Sequence, residues 1–357
     1  MAHSTDDVFA DAVRQLFTAQ CTPQVVRDIE AGQSAQTLWQ LVEASGFADA
    51  LVGEAQGGAG LSLSDVYGVL ELCGSFCLPL PLAETMLARA LLAQAGVKYP
   101  PGSIALGQAV SDTDGDVVCD VVRCGRVADW VLVSKEMTHN TTHNATLERT
   151  PASVCLLLPV SQAIHSPAGF CLDAKLTWPH MAVAQAQRLS CHHDIQTLQA
   201  CIYAAQLAGA MQAVFGRTLQ YANDRNQFGR PIGKFQAIQH QLSLISEHAF
   251  VSRMAAQMGC CSSTFMPDRL RVAMAKARTS EAAVEVAALS HSIHGAIGFT
   301  QEFDLQLFTR RLHLWRQAGG SESYWHMVAG EALVNHHQGL TLDLIRKVTD
   351  SAIGQAV

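Results

Sequence analysis

The spacing of apolar residues divides the chain into three regions. Over residues 1–98, apolar side chains recur every three or four positions, which predicts amphipathic helices. Residues 99–190 contain short β-leaning runs separated by Gly, Pro, Asn, Asp and Thr, the pattern of strands joined by turns. These runs cover residues 116–122, 130–134 and 153–159. From about residue 192, long apolar stripes with short links predict helices packed as an antiparallel bundle.

These periodicities predict a mainly α fold of the α+β class. We expect an N-terminal helical domain over residues 1–98, a small central β domain over 99–190 and a C-terminal antiparallel helical bundle over 191–357. The β domain contains an irregular polar insertion near 137–150. Its His-rich part, residues 138–144, lacks the acidic or thiol neighbours of a metal site, so we predict a solvated loop and no metal.

Composition indicates extensive buried surface. Hydrophobic residues make up 49% of the 357 residues and charged residues only 15%, which is apolar for a soluble monomer. Part of that apolar surface is expected to lie between subunits. No run of about eighteen apolar residues is present, because glutamines interrupt even the apolar stretch 197–215. We therefore predict no membrane span.

Charge and cysteine usage exclude several classes of protein. The formal net charge of -7 provides no basic field suited to nucleic acid. Residues 1–20 carry Asp6, Asp7 and Asp11 and no apolar core segment, so no secretory signal is predicted. The eleven cysteines are scattered without a Cys-x-x-Cys spacing, which favours reduced thiols and a cytoplasmic location.

A polar segment between two predicted helices is the first candidate for chemistry. It reads Arg-Asn-Gln-Phe-Gly-Arg-Pro-Ile at residues 225–232, followed by Phe-Gln-Ala-Ile-Gln-His at 235–240. Gly229 and Pro231 interrupt helicity, and the N–H fork of Arg225 suits the oxygens of a phosphate or pyrophosphate. A polar interhelical turn with a structural arginine explains the same residues, so both interpretations stay open at this point.

A second segment, Ser-Ile-His-Gly-Ala-Ile-Gly-Phe-Thr, occupies residues 292–300. The small residues at 295, 296 and 298 allow a ligand or another backbone to approach closely. Close packing around the C-terminus of a helix is the alternative explanation.

Together the two segments resemble the acyl-CoA dehydrogenase family. The shared pattern is Arg-x-Gln-Phe-Gly-x-Pro-Ile, then Phe-Gln-x-x-Gln-His, then His-Gly-x-Ile-Gly-Phe-Thr. The resemblance is good over residues 195–330 and loose over 40–95, where Gly-Gly-Ala-Gly-Leu-Ser at 57–62 is similar to a loop of the family. That loop lacks the Gly-x-Gly-x-x-Gly spacing and the βαβ unit of a dinucleotide fingerprint.

The resemblance implies an FAD site shared between subunits. The β domain of one subunit would hold the flavin ring, and the helical domain of its neighbour would hold the ADP end. By motif position, Arg225, Gln227 and Phe228 would contact the pyrophosphate region, and the segment 292–296 would line the adenosine. The implied cofactor-binding set is Arg225, Gln227, Phe228, Gln236, Ser292, Gly295, Ala296 and Ser321. Ser292 and Ala296 depart from the family's usual glutamine and glycine, although serine still offers one hydrogen-bond donor.

The resemblance also implies a reaction. An α proton leaves an acyl-CoA thioester while a β hydride passes to the flavin. The family's proton acceptor is a carboxylate at one of two positions, which this chain occupies with Gly319 and Gln199. Neither residue can accept a proton near neutral pH. Glu322 is the alternative candidate base; its other interpretation is an exposed residue in the first turn of a helix, where a negative charge suits the helix dipole.

Features expected beside the flavin ring are also missing from the sequence. Between residues 98 and 190 we find no Thr-Glu-Pro/Gly-Ser-Asp-like segment and no Trp-x-Thr/Ser segment, and only 127–133 is similar to a family strand. Similar shortened chains occur in α2β2 bacterial dehydrogenases acting on bulky acyl-CoA esters, including steroid side chains. The resemblance therefore implies a homologous partner subunit that carries the base, an acyl-CoA substrate and electron-transferring flavoprotein as acceptor.

Three alternatives stay open. The chain could form a homomeric dehydrogenase with a relocated base, and then Glu322→Gln would abolish turnover while leaving flavin in place. It could be a non-catalytic flavin-binding or scaffold subunit. It could also be a flavin oxidase or nitroalkane-type enzyme, for which a different substrate explains the missing carboxylate.

Overall fold

The computed structural model describes residues 5–110, 115–136, 153–170, 172–191, 194–336 and 339–353. These residues form two compact units. The first comprises the described residues of 1–66 and 78–199, and the second comprises those of 67–77 and 200–357. The predicted polar insertion and its His-rich part lie outside the described residues. The three-domain division at residues 98 and 190 stays a prediction.

Helices dominate the described residues, which confirms the predicted mainly α class. They are α1 (Thr5–Gln20), α2 (Pro23–Glu30), α3 (Gln36–Ala44), α4 (Leu63–Ser75), α5 (Leu82–Gln94), α6 (His180–Gln185), α7 (Ile195–Asp224), α8 (Gln236–Gly259), α9 (Arg269–His294), α10 (Leu305–Trp315), α11 (Glu322–Glu331) and α12 (Thr341–Ile353). The strands are β1 (Ile104–Gln108), β2 (Val117–Val122), β3 (Trp130–Glu136), β4 (Ser153–Pro159), β5 (Ile164–Pro167), β6 (Ala174–Trp178), β7 (Gln187–Cys191), β8 (Asn226–Gln227) and β9 (Arg230–Pro231).

Two small sheets lie in the first unit. One has the strand order β1-β3-β4-β7, with β1 parallel to β3 and the other pairs antiparallel. The second has the order β2-β6-β5 and is antiparallel. The indole of Trp178 is fully buried, and its Nε1 donates to the Pro159 carbonyl at 2.8 Å. The three predicted β runs are confirmed as β2, β3 and β4, whereas β1, β5, β6 and β7 were not predicted.

Helix α5 covers the free edge of β1. The Ile104 N–H donates to Thr85 Oγ1 at 2.9 Å, and the Leu106 N–H donates to the Glu84 carboxylate at 3.1 Å. These are N–H groups that an edge strand would otherwise present to solvent. Two adjacent polar residues of a largely apolar helix therefore fix the position of the first strand.

A buried arginine links the N-terminal helices to the segment that precedes β1. The Arg89 guanidinium is 2% exposed and donates to both Asp49 oxygens, at 3.0 and 3.1 Å, and to the Glu43 carboxylate at 2.5 Å. It also donates to the Gly102 carbonyl at 2.9 Å. Burial raises the pKa of Glu43, but the hydrogen bonds and charge of Arg89 and the Gly102 N–H outweigh it, so the net pKa is lowered.

In the second unit, residues 67–77 cross α7 at very short range. A Cβ added to Gly74 would lie 1.9 Å from the Gln206 carbonyl oxygen, and one added to Gly209 would lie 1.9 Å from the Glu71 carbonyl oxygen. The backbones can approach this closely only because both positions lack a side chain. The Ser75 hydroxyl then donates to the Gly209 carbonyl at 3.0 Å.

Helices α8 and α9 pack antiparallel, as predicted for the bundle. Near the start of α8, the Gln241 amide donates to Ser292 near the end of α9 at 3.4 Å. At the other end, Gly259 packs against Ala275 so closely that an added Cβ would lie 2.7 Å from the Ala275 Cβ. The two contacts, at opposite ends of the pair, establish the direction.

The long helix α7 is apolar enough to cross a membrane by length and composition alone. The mean hydropathy of its most apolar window is 1.2, and 83% of that window is buried inside the protein. Such burial is typical of the core helix of a soluble fold.

None of the nine cysteines whose side chains are described forms a disulfide bond, and seven of them are buried. Cys201 Sγ and Cys260 Sγ lie 3.5 Å apart without a bond between them. The hydrogen bond with Cys201 and burial raise the pKa of the Cys260 thiol, which keeps it protonated and unreactive. These thiols agree with the expectation of a reduced protein.

We expect acid to lower the stability of the first unit, because the Glu43 carboxylate becomes protonated. Its folded pKa is depressed, so its contribution to stability is present above an unfolded pKa of about 4.3 and is lost as the pH falls through the lower folded value. We expect Glu43→Gln to cost about 1 kcal/mol at pH 7, a value discounted for partial exposure, and to flatten the stability loss between about pH 5 and pH 3. Urea unfolding across this range measures both effects. Glu285→Gln is the control, and identical pH slopes for E43Q and the wild type would contradict the prediction.

The crossing at Gly209 gives a second prediction with a matched control in the same helix. Gly209→Ala forces a methyl group into the Glu71 carbonyl, so we expect a loss of about 3 kcal/mol in the free energy of unfolding. Gly216→Ala meets no atom within 4 Å and should gain about 0.5–1 kcal/mol, because alanine is the better helix former. The melting temperature should fall in the Gly209→Ala variant and rise in the Gly216→Ala variant. Shifts of the same sign would contradict the close backbone contact at Gly209.

Candidate functional site

The predicted polar turn between α7 and α8 is a two-residue β-hairpin. Strands β8 and β9 pair antiparallel, with Phe228 at φ 52° and Gly229 at φ 77° as the connecting residues. Two consecutive positive φ values are the signature of a type I′ turn, which matches the twist of a hairpin. The Ile232 N–H donates to the Arg225 carbonyl at 2.8 Å and closes the loop. The segment is therefore a rigid projection from the ends of two long helices.

The tip of this hairpin carries an exposed aromatic ring. Phe228 is 91% exposed, and its ring meets that of Phe235 edge-on at 6.2 Å. On Phe235, the Arg230 guanidinium lies 4.2 Å from the ring centre. A non-glycine residue with positive φ costs of order 1 kcal/mol and an exposed ring adds nothing to the folding of this chain. A strained backbone and an exposed aromatic ring at the same residue indicate a surface that contacts another molecule.

Three predicted cofactor-binding side chains on and beside the hairpin are available for a ligand. Arg225, Gln227 and Gln236 are exposed, and none of them hydrogen-bonds or ion-pairs through its side chain with any described residue. Free guanidinium and amide donors at the end of two rigid helices suit the oxygens of a pyrophosphate.

The second predicted segment lies at the end of α9. Gly295 ends the helix at φ 64°, ψ -145°, and the exposed Ser292 and Ala296 flank it. Ser292 accepts a hydrogen bond from Gln241, whose Oε1 is buried and has no hydrogen-bond partner among the described residues. A buried acceptor left unpaired costs about 1–3 kcal/mol, which a bound donor would recover. The segment is thus the C-terminal end of a helix, as the alternative explanation held. Ser292 and Gln241 nevertheless leave polar groups there that a ligand could use.

Two histidines at the end of α9 were given no individual role by the sequence: His294, inside the segment, and His291, just before it. His294 is 4% exposed, its Nδ1–H donates to the Ser290 carbonyl at 2.7 Å, and its Nε2 has no hydrogen-bond partner among the described residues. The ring stacks on Tyr221 at 4.4 Å. Burial lowers its pKa, so the imidazole is neutral at physiological pH.

His291 repeats this arrangement one helical turn earlier. Its Nε2 lies 2.8 Å from Thr309 Oγ1, and its ring stacks on Phe299 at 4.2 Å. Burial lowers its pKa as well. The signal available in the sequence was the pair of histidines at a spacing of three residues, which places both on one helix face.

Neither of the two positions at which the resemblance places the base holds a carboxylate. Gly319 has φ 67° and Gly320 has φ 107°, backbone conformations that favour glycine, and the Gly319 carbonyl accepts from Trp325 Nε1 at 3.0 Å. In the first unit, Gln199 donates to the Leu106 carbonyl at 3.1 Å and accepts from the Gln108 amide at 3.2 Å. Within the first unit, both ends of its amide are thus used in hydrogen bonds to β1.

Glu322 lies in the first turn of α11 and forms an ion pair with Arg316. Burial raises the pKa of its carboxyl, but a backbone hydrogen bond and the charges of Arg316 and Lys276 outweigh burial and lower the pKa overall. A base for carbon acids needs a raised pKa, so this environment favours a structural carboxylate. Ser321, in the implied cofactor set, caps α11 by accepting from the Tyr324 N–H at 3.4 Å.

The Gly-rich loop at 57–62 has a local explanation. Ser62 and Asp65 form reciprocal hydrogen bonds at the start of α4, a capping box with an Asp in the Glu position. A Cβ on Gly58 would lie 2.2 Å from the Val52 carbonyl oxygen, so close backbone packing requires that glycine. Across the described part of the chain, no three His, Cys, Asp or Glu side chains converge on a metal-sized space.

Comparison with known proteins finds similarity to one family. Residues 198–333 match the model of the acyl-CoA dehydrogenase C-terminal domain. The acyl-CoA dehydrogenase IpdE2 of Mycolicibacterium smegmatis is 28% identical over 313 residues, which cover 86% of this chain and 92% of that protein. The chain is thus similar to acyl-CoA dehydrogenases over most of its length, and its C-terminal part matches the domain model of that family. These similarities support the predicted acyl-CoA dehydrogenase class and FAD as the cofactor.

Two solved structures of this family share the fold. A chain of the ChsE4–ChsE5 complex from Mycobacterium tuberculosis superposes with a TM-score of 0.74 at 19% identity, covering 95% of this chain and 99% of that chain. A variant of the Tcur3481–Tcur3483 steroid ACAD superposes with a TM-score of 0.72 at 22% identity, covering 92% and 97%. The predicted order of helical, β and helical regions is confirmed.

The residues present fit the ADP part of an FAD. Arg225 and Gln227 offer unpaired donors to phosphate oxygens, and the buried Gln241 Oε1 offers an unpaired acceptor beside Ser292. Gly295 leaves open space, with no atom within 4 Å of an added Cβ. Ser292 is smaller than the family's usual glutamine, and Ala296 adds only a methyl group to the family's usual glycine.

The ion pair of Glu322 gives a prediction that separates base from structural carboxylate. We expect Glu322→Gln to destabilise the fold by about 1–2 kcal/mol, because Arg316 loses its charged partner. Flavin reduction by acyl-CoA in the active assembly should fall by less than about tenfold, whereas loss of a catalytic base costs about 10²–10⁴-fold. Stopped-flow bleaching and thermal unfolding measure the two effects, with Glu285→Gln as control. A loss of a hundredfold or more at unchanged flavin content would establish Glu322 as the base.

Proposed function

We propose that this chain is one subunit of a heteromeric FAD-dependent acyl-CoA dehydrogenase and provides the ADP side of the FAD site, while a homologous partner subunit provides the base. The observation that carries the proposal is the absence of a usable carboxylate at both base positions, beside an intact pyrophosphate motif. The reaction is α,β-desaturation of an acyl-CoA thioester.

The ADP side of the proposed site is built from the hairpin and the end of α9. Arg225 and Gln227 would bind the pyrophosphate, with Phe228 and Gln236 beside it. Ser292, Gly295 and Ala296 would line the adenosine, and Ser321 would complete the set from the start of α11. The support is that Arg225, Gln227 and Gln236 are exposed and make no side-chain hydrogen bonds within the described chain.

The proton acceptor is assigned to the partner by the chemistry of the residues present. FAD, when bound, supplies the acceptor for the β hydride. Removal of the α proton needs a base, and a glycine or a hydrogen-bonded glutamine amide cannot serve as one. The Glu322 carboxylate is paired with Arg316 and has a lowered pKa, which weighs against the homomeric alternative.

A partner is also supported by apolar side chains that the second unit leaves in solvent. On α8, Phe250, Val251 and Met254 are 51%, 41% and 72% exposed, and Phe228 is 91% exposed at the hairpin. Clusters of exposed large apolar residues mark interfaces with other chains. The similar ChsE4–ChsE5 structure is itself a complex of two differently named chains. An α2β2 assembly of this chain with a homologous subunit follows as the proposal.

The substrate, acceptor and location are proposed at the level the relatives support. A bulky acyl-CoA, such as a steroid-derived acyl group, is proposed because a similar structure is a steroid ACAD. Electron-transferring flavoprotein is proposed as the electron acceptor from the family expectation. A cytoplasmic location agrees with the free, buried thiols.

The flavin-to-protein ratio of the purified chain tests the proposal. Expressed alone, the chain should be folded and carry almost no flavin; co-expressed with a homologous subunit that has the family carboxylate, it should carry about one flavin per pair of chains. Near one flavin per chain in isolation, with acyl-CoA turnover, would overturn the half-site assignment. A flavin-loaded complex that no acyl-CoA bleaches would instead support the non-catalytic alternative, and oxygen consumption would support an oxidase.

The Arg225→Gln substitution in the complex tests separately whether Arg225 binds the ADP part of FAD. Loss of charge-assisted hydrogen bonds to phosphate should weaken FAD affinity by about tenfold to a hundredfold, measured by flavin release on dilution. Arg346→Gln is the matched control, because this exposed arginine on α12 makes only a long ion pair of 3.9 Å. Equal flavin retention in the two variants would show that Arg225 does not bind FAD.

A further inference from the structure

A cavity of about 440 Å³ opens in the first unit at one edge of the four-stranded sheet. At this edge β1 and β3 begin and β4 ends, as the register Ile104 to Trp130 to Pro159 shows. The segment 98–101, α6 and the start of β7 form the other walls. None of the residues implied in FAD binding lines it, so the cavity is separate from the proposed function.

The walls of the cavity are held rigidly. Trp130 Nε1 donates to the Pro101 carbonyl at 3.3 Å, which fixes the indole against segment 98–101. Behind the cavity, the Tyr99 hydroxyl donates to Asp49 at 3.0 Å, and the Arg89 guanidinium lies 5.2 Å from the Tyr99 ring centre. A pocket whose aromatic rings are locked from behind loses little entropy when a ligand binds.

The chemistry of the lining is apolar with a single positive charge. Proline, alanine, leucine and aromatic side chains make up most of the surface, and glutamines 162, 185 and 187 supply neutral amides. Lys98 is the one charged residue among the described lining residues, and its exposed ammonium makes no hydrogen bond or ion pair with the described chain. The absence of any acidic lining residue leaves this charge unbalanced.

We propose that this cavity binds a flat, hydrophobic monoanion, with its ring body against Trp130 and Tyr99 and its carboxylate at Lys98. The volume lies in the range of small-molecule sites, about 300–1,000 Å³, and such sites combine an apolar lining with few polar groups. One cation matches one negative charge. A di- or triphosphate would need more donors than Lys98 and three amides provide.

Titration of the purified chain with 1-pyrenebutyrate tests the site, and 1-pyrenebutanol serves as the neutral probe with the same ring body. We expect saturable one-to-one binding of pyrenebutyrate by fluorescence anisotropy, with the alcohol binding about fivefold more weakly, the effect of one partly exposed ion pair.

Two variants locate the binding. Lys98→Gln should weaken pyrenebutyrate about fivefold and leave pyrenebutanol unchanged, whereas Ala186→Trp should abolish binding of both probes by filling the cavity. Lys135→Gln, on the opposite end of β3, is the charge control and should change neither affinity. Binding that survives Ala186→Trp in a folded chain, or that Lys98→Gln and Lys135→Gln affect equally, would overturn the proposal. If the Ala186→Trp variant does not fold, the proposal is tested by Lys98→Gln alone. That variant must weaken the binding of pyrenebutyrate and leave the binding of pyrenebutanol unchanged.

Discussion

A buried ammonium group holds the C-terminal part of the second unit together. Lys276 is fully buried on α9, and its Nζ donates to Ser280 Oγ at 2.8 Å and to the last carbonyls of α10, Trp315 at 3.1 Å and Arg316 at 2.8 Å. A cation at a helix C-terminus compensates both the helix dipole and the unpaired carbonyl groups. All three of its N–H donors are used, as burial of a charge requires. The turn of Gly319 and Gly320 leaves α10 from this anchored end.

The same anchor fixes the turn at which the sequence resemblance places one of the two base positions. That turn follows α10, is held on one side by Lys276 and on the other by the Trp325 indole, and contains Gly319 and Gly320. The same network draws Glu322 into an ion pair with Arg316 and lowers its pKa. The turn is therefore well ordered by its hydrogen bonds, and neither of its two glycines can accept a proton. At the hairpin, by contrast, the motif residues Arg225 and Gln227 are present and exposed, and their side chains make no hydrogen bond within the described chain.

Much of the fold and part of the candidate site could be predicted from local patterns. Apolar periodicity predicted the long helices after about residue 192, such as α8 and α9, since long helices repeat their signal over many turns. The runs that became β2, β3 and β4 were found because each is a short apolar run between turn signals. The short strands β1 and β5 to β7 carry too few residues for such a signal, and β1 depends on hydrogen bonds from Thr85 and Glu84 on α5.

Residue identity alone determined the family motifs, the missing carboxylates at 199 and 319 and the overall charge, because these depend only on which side chains occur at which spacing. Tertiary structure decided what each residue can do. It paired Glu322 with Arg316, left Gln241 Oε1 buried without a partner beside Ser292, and brought Lys98, Trp130 and Ala186 to one cavity from distant parts of the chain. Ionisation, hydrogen-bond satisfaction and cavity shape all depend on neighbours that are far apart in sequence, so only the folded chain could establish them.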